Sequence, residues 1–154
     1  YQRAGDLSSS NSVAFANKIL AIVTGIYIAG AIIIISIFAL FHYQLVLLVS
    51  NINFVSLSYL LPGLTVAWAL FHLGQMLSVF GLVANKPRNY ILPKVISSII
   101  AVASTFYLSA RIGPTGVVWG LGGAGLIYAL WCFMIAAKVV RQPGMPFPLR
   151  NSDG

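Results

Sequence analysis

One side of the apolar segment 60–84 carries polar and aromatic residues that could line a path for a substrate. Spacings of three, four, three and four residues place five of them on one stripe of a helix: Thr65, Trp68, His72, Gln75 and Val79. We interpret Trp68, His72 and Gln75 as a polar, aromatic wall that contacts substrate. The alternative is hydrogen bonding between neighbouring helices, which contributes only about 0.6 kcal/mol on average.

His72 and Gln75 lie near the middle of this segment, and their polar groups need partners there. An unpaired polar group surrounded by hydrocarbon costs several kcal/mol. We therefore expect both side chains to face protein or a water-filled cavity. The second histidine, His42, lies at the far end of a different segment, so the sequence predicts no metal site.

Arg111 is a further candidate for substrate contact, because it is the only basic residue between positions 95 and 137. It can pair with a lipid headgroup, or it can simply end the preceding helix, since cations suit a helix C-terminus. Enzymatic chemistry is not predicted. There is no Ser/His/Asp set, Cys132 has no histidine near it in sequence, and the only carboxylates are Asp6 and Asp153. We expect no cofactor.

The composition places these residues in a membrane. Of the 154 residues, 59% are hydrophobic and 7% are charged, whereas soluble domains have about 45–50% apolar and about 25% charged residues. So few charges cannot cover a surface that faces water. This excludes a soluble globular domain, a disordered chain and a nucleic-acid-binding protein, despite the formal net charge of +7.

Four apolar segments are long enough to span a bilayer, which takes about 20 residues per helix. We predict an all-α fold: a polytopic transmembrane helical bundle with four spans, at about 19–41, 60–84, 91–110 and 116–137. Pro62 and Pro93 fall in the first turns of the second and third spans, where a missing N–H costs little.

The remaining segments are predicted to connect or flank the spans. Residues 1–18 are expected to form a cytoplasmic linker, although SSSNS offers N-caps for a helix that starts near Ser12. Residues 42–59 are expected to form an interfacial loop with a short helix, because LVLLV is too short to span and two asparagines follow it. Residues 141–154 contain three prolines and should be a flexible cytoplasmic tail.

Lysine and arginine are distributed unequally between the two sides of the predicted bundle. Arg111 falls on one side, and eight basic residues fall on the other: Arg3, Lys18, Lys86, Arg88, Lys94, Lys138, Arg141 and Arg150. We expect the protein to lie in the cytoplasmic membrane, and by the positive-inside rule we expect both termini to be cytoplasmic. We interpret the charge as an orientation signal and an attraction to anionic lipid. A basic vestibule for a phosphate-bearing lipid is the compatible functional alternative.

Small residues predict where the helices touch. The third span has a weakly polar face formed by Ser97, Ala101, Ser104, Thr105 and Leu108, and the fourth contains Gly116-Val-Val-Trp-Gly120, a pattern that continues to Ala124. Small residues let helix backbones approach closely, so these faces are expected to pack. A hinge in a helix that bends is the alternative for the glycines.

Two segments, FHLGQMLSVFGLVANKPRNYILPKVISSI (71–99) and IGPTGVVWGLGGAGLIYALW (112–131), carry a resemblance to a known family. Their layout is a basic loop, a Pro-Lys helix start and a Gly-x-x-Gly turn: Lys86-Pro87, Pro93-Lys94 and Gly113-Pro114-Thr115-Gly116. The chain resembles the C-terminal part of the polysaccharide (O-antigen type) flippases of the multidrug/oligosaccharidyl-lipid/polysaccharide exporter superfamily. The N-terminal YQRAGDLSSSNSVAFANKIL is similar to the linker before a late span, so the likeness covers residues 1–140 approximately.

The resemblance implies a transporter with about twelve or more helices in two halves, of which this chain would hold the last four. The implied function is to flip a polyprenyl-diphosphate-linked oligosaccharide across the cytoplasmic membrane for surface polysaccharide biosynthesis. The implied partners are this lipid-linked oligosaccharide, membrane lipids and the missing N-terminal helices, which we also expect because the chain begins with Tyr1. The alternatives are a four-span subunit or assembly factor with a membrane partner, and a multidrug exporter fragment of the same superfamily.

Overall fold

Residues 10–50, 52–83 and 87–140 are described by the computed structural model of the protein. They form four α-helices and two short 3₁₀ helices: α1 (Ser10–Val49), η1 (Ile52–Leu57), α2 (Leu60–Val83), η2 (Pro87–Tyr90), α3 (Ile91–Ile112) and α4 (Thr115–Val140). These ranges contain no strand. Each α-helix includes a stretch long and apolar enough to cross a membrane, at Lys18–Val49, Leu60–Phe80, Arg88–Ile112 and Thr115–Lys138. The predicted all-α bundle with four spanning helices is confirmed.

α1 and α2 pack side by side in opposite directions. The Tyr27 hydroxyl donates a hydrogen bond to the Ala69 carbonyl oxygen at 2.9 Å. Further along α1, His42 Nδ1 lies 2.9 Å from Ser58 Oγ, just before α2 begins. Because the later residue of α1 meets the earlier residue of the partner, the two helices are antiparallel.

α4 packs between α2 and α3 and is the most buried of the four helices. It runs parallel to α2, since Gly63 lies against Val118 and Gly74 lies against the ring of Tyr128. Tyr128 is 1% exposed, and its ring centroid lies 4.9 Å from that of Phe71. The core of the bundle is therefore built along the interface between α2 and α4.

α3 lies antiparallel to α4, and the two backbones are close together. Gly116 lies against the backbone of Leu108, and Gly120 lies against Thr105. The Ser104 hydroxyl reaches across to the Gly120 carbonyl oxygen at 3.2 Å. The sequence predicts a small-residue packing face on each of these spans, and the structure shows that the two faces pack against each other.

The turn between α3 and α4 depends on one glycine. α3 ends at Ile112, and Gly113 follows with a φ of 67°, a conformation that residues with a Cβ rarely adopt. The Gly113 N–H donates to the Ser109 carbonyl oxygen at 3.0 Å, which satisfies one of the last acceptors of the helix. Pro114 then reverses the chain into α4.

α1 differs from the predicted first span at both ends. It begins at Ser10, so residues 10–18 belong to the helix and not to a linker, and it continues through His42 to Val49. Of the predicted interfacial segment 42–59, only η1 remains as a separate short helix. A polar side chain such as that of His42 leaves the backbone hydrogen bonds of a helix intact, so it does not end one. Residues 1–9 of the predicted linker and the predicted tail 141–154 lie outside the described residues.

The up-and-down arrangement brings most of the described basic side chains to one end of the bundle. Arg111 lies at the opposite end, beside the turn between α3 and α4, and the others lie together: Lys18, Arg88, Lys94 and Lys138. We call the end that carries these four residues the basic end. These five described residues follow the unequal distribution that the sequence predicts, whereas Arg3, Lys86, Arg141 and Arg150 lie outside the described residues.

Candidate functional site

The predicted stripe of α2 lies on the side of the helix that faces away from α4. Gly63, Ala67 and Gly74 make the contacts with α4. Trp68 and His72 lie on the other side, and both are exposed. Their rings stack, with centroids 5.7 Å apart and an angle of 27° between the planes. The spacing of four residues thus produces the aromatic contact that one helical turn predicts.

His72 lies at the middle of α2 and therefore near the centre of the apolar layer. We expected its imidazole to face protein or a cavity, whereas within the described residues it stacks on Trp68 and otherwise points away from the bundle. A polar group exposed to hydrocarbon at this depth costs several kcal/mol unless it finds a partner. Within the described residues, the contact recorded for the His72 ring is the stacked Trp68 ring, on the exposed side of α2.

Gln75 is half-buried and connects the stripe to a recess at the basic end. The recess has a volume of about 290 Å³. It lies where the C-terminal half of α2 meets the start of α3, with α4 behind them. Its lining contains Gln75, Ser78, Tyr90, Ile91, Lys94 and Tyr128. A polar group that moved along the stripe would therefore reach the recess without leaving the surface of α2.

Tyr90 contributes a buried hydroxyl to this region. Its side chain is 5% exposed and packs in a cluster with Leu77, Tyr128 and Cys132. The hydroxyl has no hydrogen-bond partner among the described residues. A buried donor without a partner costs about 1–3 kcal/mol. Because the hydroxyl itself is buried, an acceptor in the recess would reach it only after neighbouring side chains shift.

Lys94 supplies the positive charge of the recess. It lies in the first turn of α3 with its side chain exposed. The sequence has no carboxylate between Asp6 and Asp153, so none of the described side chains can form an ion pair with this ammonium group. Ser78, by contrast, already donates its hydroxyl to the Gln75 carbonyl oxygen at 2.7 Å.

Arg111, the fourth residue predicted from the sequence, is far from this region. It lies in the last turn of α3, at the end of the bundle opposite the basic end. Its guanidinium carbon lies 5.5 Å from the centre of the Tyr107 ring, which is a cation–π contact. The structure therefore brings Trp68, His72 and Gln75 together on α2 and leaves Arg111 apart from them.

The sequence did not single out Tyr90, Ser78 or Tyr128 as part of the site. Lys94 was noted only for orientation and for its Pro-Lys motif. The available signal is the position of Tyr90, four residues before Lys94 at the start of a helix, next to a loop rich in polar residues. Within the described residues, no group of three or more His, Cys, Asp or Glu side chains is placed to hold a metal ion.

The fold and the composition define a polytopic, membrane-embedded helical protein. Among the described residues, Trp68 and His72 lie on an exposed side of α2, and Gln75 on the same stripe also lines the recess near the basic end. No protein-family model, curated protein or solved structure matches the chain significantly.

Proposed function

We propose that the protein is part of a membrane transporter that moves a polyprenyl-diphosphate-linked oligosaccharide from the cytoplasmic to the outer leaflet. The observation that supports this function is the position of Gln75. It belongs both to the exposed stripe with Trp68 and His72 and to the recess with Lys94. A polar headgroup crossing the membrane needs such a series of polar contacts, because it cannot cross hydrocarbon unaided.

The proposed orientation places the basic end in the cytoplasm. Lysine and arginine are enriched in the cytoplasmic segments of membrane proteins, and all of the described basic side chains except Arg111 lie at that end. In this orientation the recess opens towards the leaflet in which a lipid-linked oligosaccharide is made. Arg111 then faces the outer leaflet and can contact the headgroup of a lipid after transfer.

No covalent step is required for this function, so the chain needs no catalytic carboxylate. The stripe residues contact the headgroup by hydrogen bonding and stacking. They form no covalent bond with it. The exposed side of α2 also requires a second wall, because a path open to lipid on one side would leave the headgroup in hydrocarbon. The proposed transporter therefore places further helices, from the same chain or a partner, against Trp68 and His72.

The test is to replace His72 and Gln75 separately by alanine in cells that make the protein, and to measure surface glycan and inner-leaflet lipid-linked oligosaccharide. Each variant should lower export by about fivefold, since one hydrogen bond to the moving headgroup contributes about 1 kcal/mol. Lipid-linked oligosaccharide should accumulate in the inner leaflet by a corresponding amount.

Ser97→Ala and Ser98→Ala are the matched controls on α3. Ser97 is fully buried with an unpartnered hydroxyl among the described residues, and Ser98 donates only to the Lys94 carbonyl of its own helix at 2.9 Å. Both should export glycan normally. If all four variants leave export and the amount of membrane protein unchanged, the stripe is a packing surface, and a four-span subunit becomes the better interpretation.

A further inference from the structure

We infer that the recess at the basic end binds the phosphate group of a lipid, with Lys94 as the cation and the Tyr90 hydroxyl and the Gln75 amide as hydrogen-bond donors. This inference rests on the proposed function and makes it more specific, because it places the headgroup before transfer at one group of residues. Three independent observations support it: the cavity, the unpaired ammonium group and the buried hydroxyl.

The cavity has a suitable size for a phosphate group. Its volume of about 290 Å³ exceeds what one phosphate occupies and leaves room for a second phosphate or for the first part of a sugar. Its lining combines polar side chains from α2 and α3 with the buried face of Tyr128. Five of the six lining residues carry a polar side-chain group, and Ile91 is the apolar one.

The charge of the recess selects an anion. Lys94 has no carboxylate to pair with among the described residues, and the first turn of α3 contains no acidic residue. An ammonium group at the boundary of the apolar layer is stabilised by a phosphate, because a hydrogen bond with a charged partner is stronger than one between neutral groups. A neutral headgroup would leave this charge without an ion partner.

The hydroxyl of Tyr90 distinguishes the recess from general surface charge. Three other buried hydroxyls in the described part of the chain are also unpartnered: those of Thr24, Ser97 and Thr105. Each belongs to a serine or threonine inside a helix, where a small rotation can bring the hydroxyl to a carbonyl of its own helix. The phenol of Tyr90 is carried away from its own backbone by the ring, so its partner must come from elsewhere.

The surroundings of Lys94 favour a lipid over free phosphate. Ile91, Leu92 and Val95 flank Lys94 on α3 and are 60%, 59% and 51% exposed. An acyl or polyprenyl chain attached to the phosphate can lie against these side chains. Free phosphate would use the polar part of the site and would gain nothing from the apolar part.

The test uses the full chain purified in an uncharged detergent, with native mass spectrometry to count bound molecules. The probes are phosphatidic acid, phosphatidylcholine, a short polyprenyl diphosphate and inorganic phosphate. The protein should retain phosphatidic acid and the polyprenyl diphosphate at one molecule per chain. It should retain phosphatidylcholine and inorganic phosphate much more weakly.

The matched pair of variants is Lys94→Gln and Arg88→Gln. Both remove one exposed positive charge from the basic end, but Arg88 does not line the recess. Lys94→Gln should weaken lipid retention about tenfold, whereas Arg88→Gln should change it by less than about twofold. Tyr90→Phe keeps the buried ring and should weaken lipid retention about fivefold. Lys94→Arg keeps the positive charge and should retain lipid as the unmodified protein does.

Equal losses in Lys94→Gln and Arg88→Gln would overturn the inference, because diffuse charge would then explain binding. Equal retention of phosphatidylcholine, whose phosphate is balanced by a cationic choline, would overturn the selectivity for an anionic headgroup. Equal retention of inorganic phosphate would overturn the assignment to a lipid. The outcome is separable from that of the export test. If His72→Ala lowers export but Lys94→Gln leaves lipid retention unchanged, lipid binding at the recess is contradicted and the transport function is not. If lipid retention depends on Lys94 but His72→Ala and Gln75→Ala leave export unchanged, the transport function is contradicted and lipid binding at the recess is not.

Discussion

Replacing Gly120 by alanine should force α3 and α4 apart. A Cβ built at Gly120 would lie 2.6 Å from Thr105 Oγ1 and 2.7 Å from the Cα and N atoms of Thr105. Side-chain carbons do not approach other heavy atoms this closely in folded proteins, so something must move. The backbone of Thr105 cannot rotate away, because it belongs to a helix. The helices must therefore separate by several tenths of an ångström, which also lengthens the hydrogen bond from Ser104 to the Gly120 carbonyl.

The expected loss follows from three contributions. Overpacking costs about 1–3 kcal/mol, and the upper part of this range applies because the clash involves backbone. The longer contact from Ser104 to the Gly120 carbonyl adds little, because the Ser104 hydroxyl has a closer acceptor in the Ile100 carbonyl oxygen at 2.6 Å. Alanine recovers up to about 1 kcal/mol through its higher helix propensity. We expect Gly120→Ala to lower the free energy of unfolding by about 2 kcal/mol.

Gly122→Ala is the matched control, two residues further along α4. A Cβ there would have no atom within 4 Å. This variant therefore gains helix propensity without a clash and should be as stable as the unmodified protein, or more stable by up to about 1 kcal/mol. The two variants have the same composition and differ only in which side of α4 receives the methyl group.

The assay uses Cys132, the only cysteine of the chain, which is 0% exposed. Alkylation of this thiol by a maleimide in mixed micelles requires the bundle to open. A loss of about 2 kcal/mol should raise the alkylation rate of Gly120→Ala about 30-fold at a fixed fraction of denaturing detergent. Gly122→Ala should react no faster than the unmodified protein. Equal rates in the two variants would refute the close contact between α3 and α4.

Two further predictions concern orientation and the docking of α1. Asn89→Cys, near the basic end, should be labelled by an impermeant reagent only from the cytoplasmic side, and Ser56→Cys in η1 only from the other side. Both positions are exposed, so the reagent can reach them. The opposite labelling pattern would show that the proposed topology is inverted. Tyr27→Phe should lower the free energy of unfolding by about 0.6 kcal/mol, because it removes the hydrogen bond between α1 and α2. Tyr43→Phe, at an exposed position of the same helix, should leave it unchanged, and an equal loss in both would show that the interhelical bond contributes nothing.

The number of helices and the small-residue faces along which two of them pack could be predicted, because they depend on simple quantities. Length and hydrophobicity decide whether a segment can span a bilayer. Close approach of two backbones requires only small residues at regular spacing, which is why the pattern of Gly116 and Gly120 predicts a packing face; that the partner is α3 is seen only in the structure. The C-terminal end of α1 could not be predicted from the same quantities. His42 and Gln44 lower the hydrophobicity of the segment, which predicts that the span ends near Phe41. The helix nevertheless continues to Val49.

The candidate site was only half predictable for a related reason. Trp68, His72 and Gln75 lie on one helix, so their spacing alone places them together. Lys94 and Tyr90 reach Gln75 only through the packing of α2, η2, α3 and α4 around one recess. Such a junction of elements has no periodic signal in the sequence, and it becomes visible only in three dimensions.

The position of α1 determines what the proposed transporter still requires. A helix of 40 residues is about 60 Å long, twice the hydrocarbon thickness of about 30 Å. Its pairing with Ser58 through His42 leaves residues 43–49 beyond the start of α2, and Leu48 and Val49 there are 83% exposed. α1 packs mainly on α2 and does not cover the stacked rings of Trp68 and His72. A path along that stripe therefore has α2 as one wall and needs its other wall from helices outside the described bundle, which a self-contained four-helix subunit would not need.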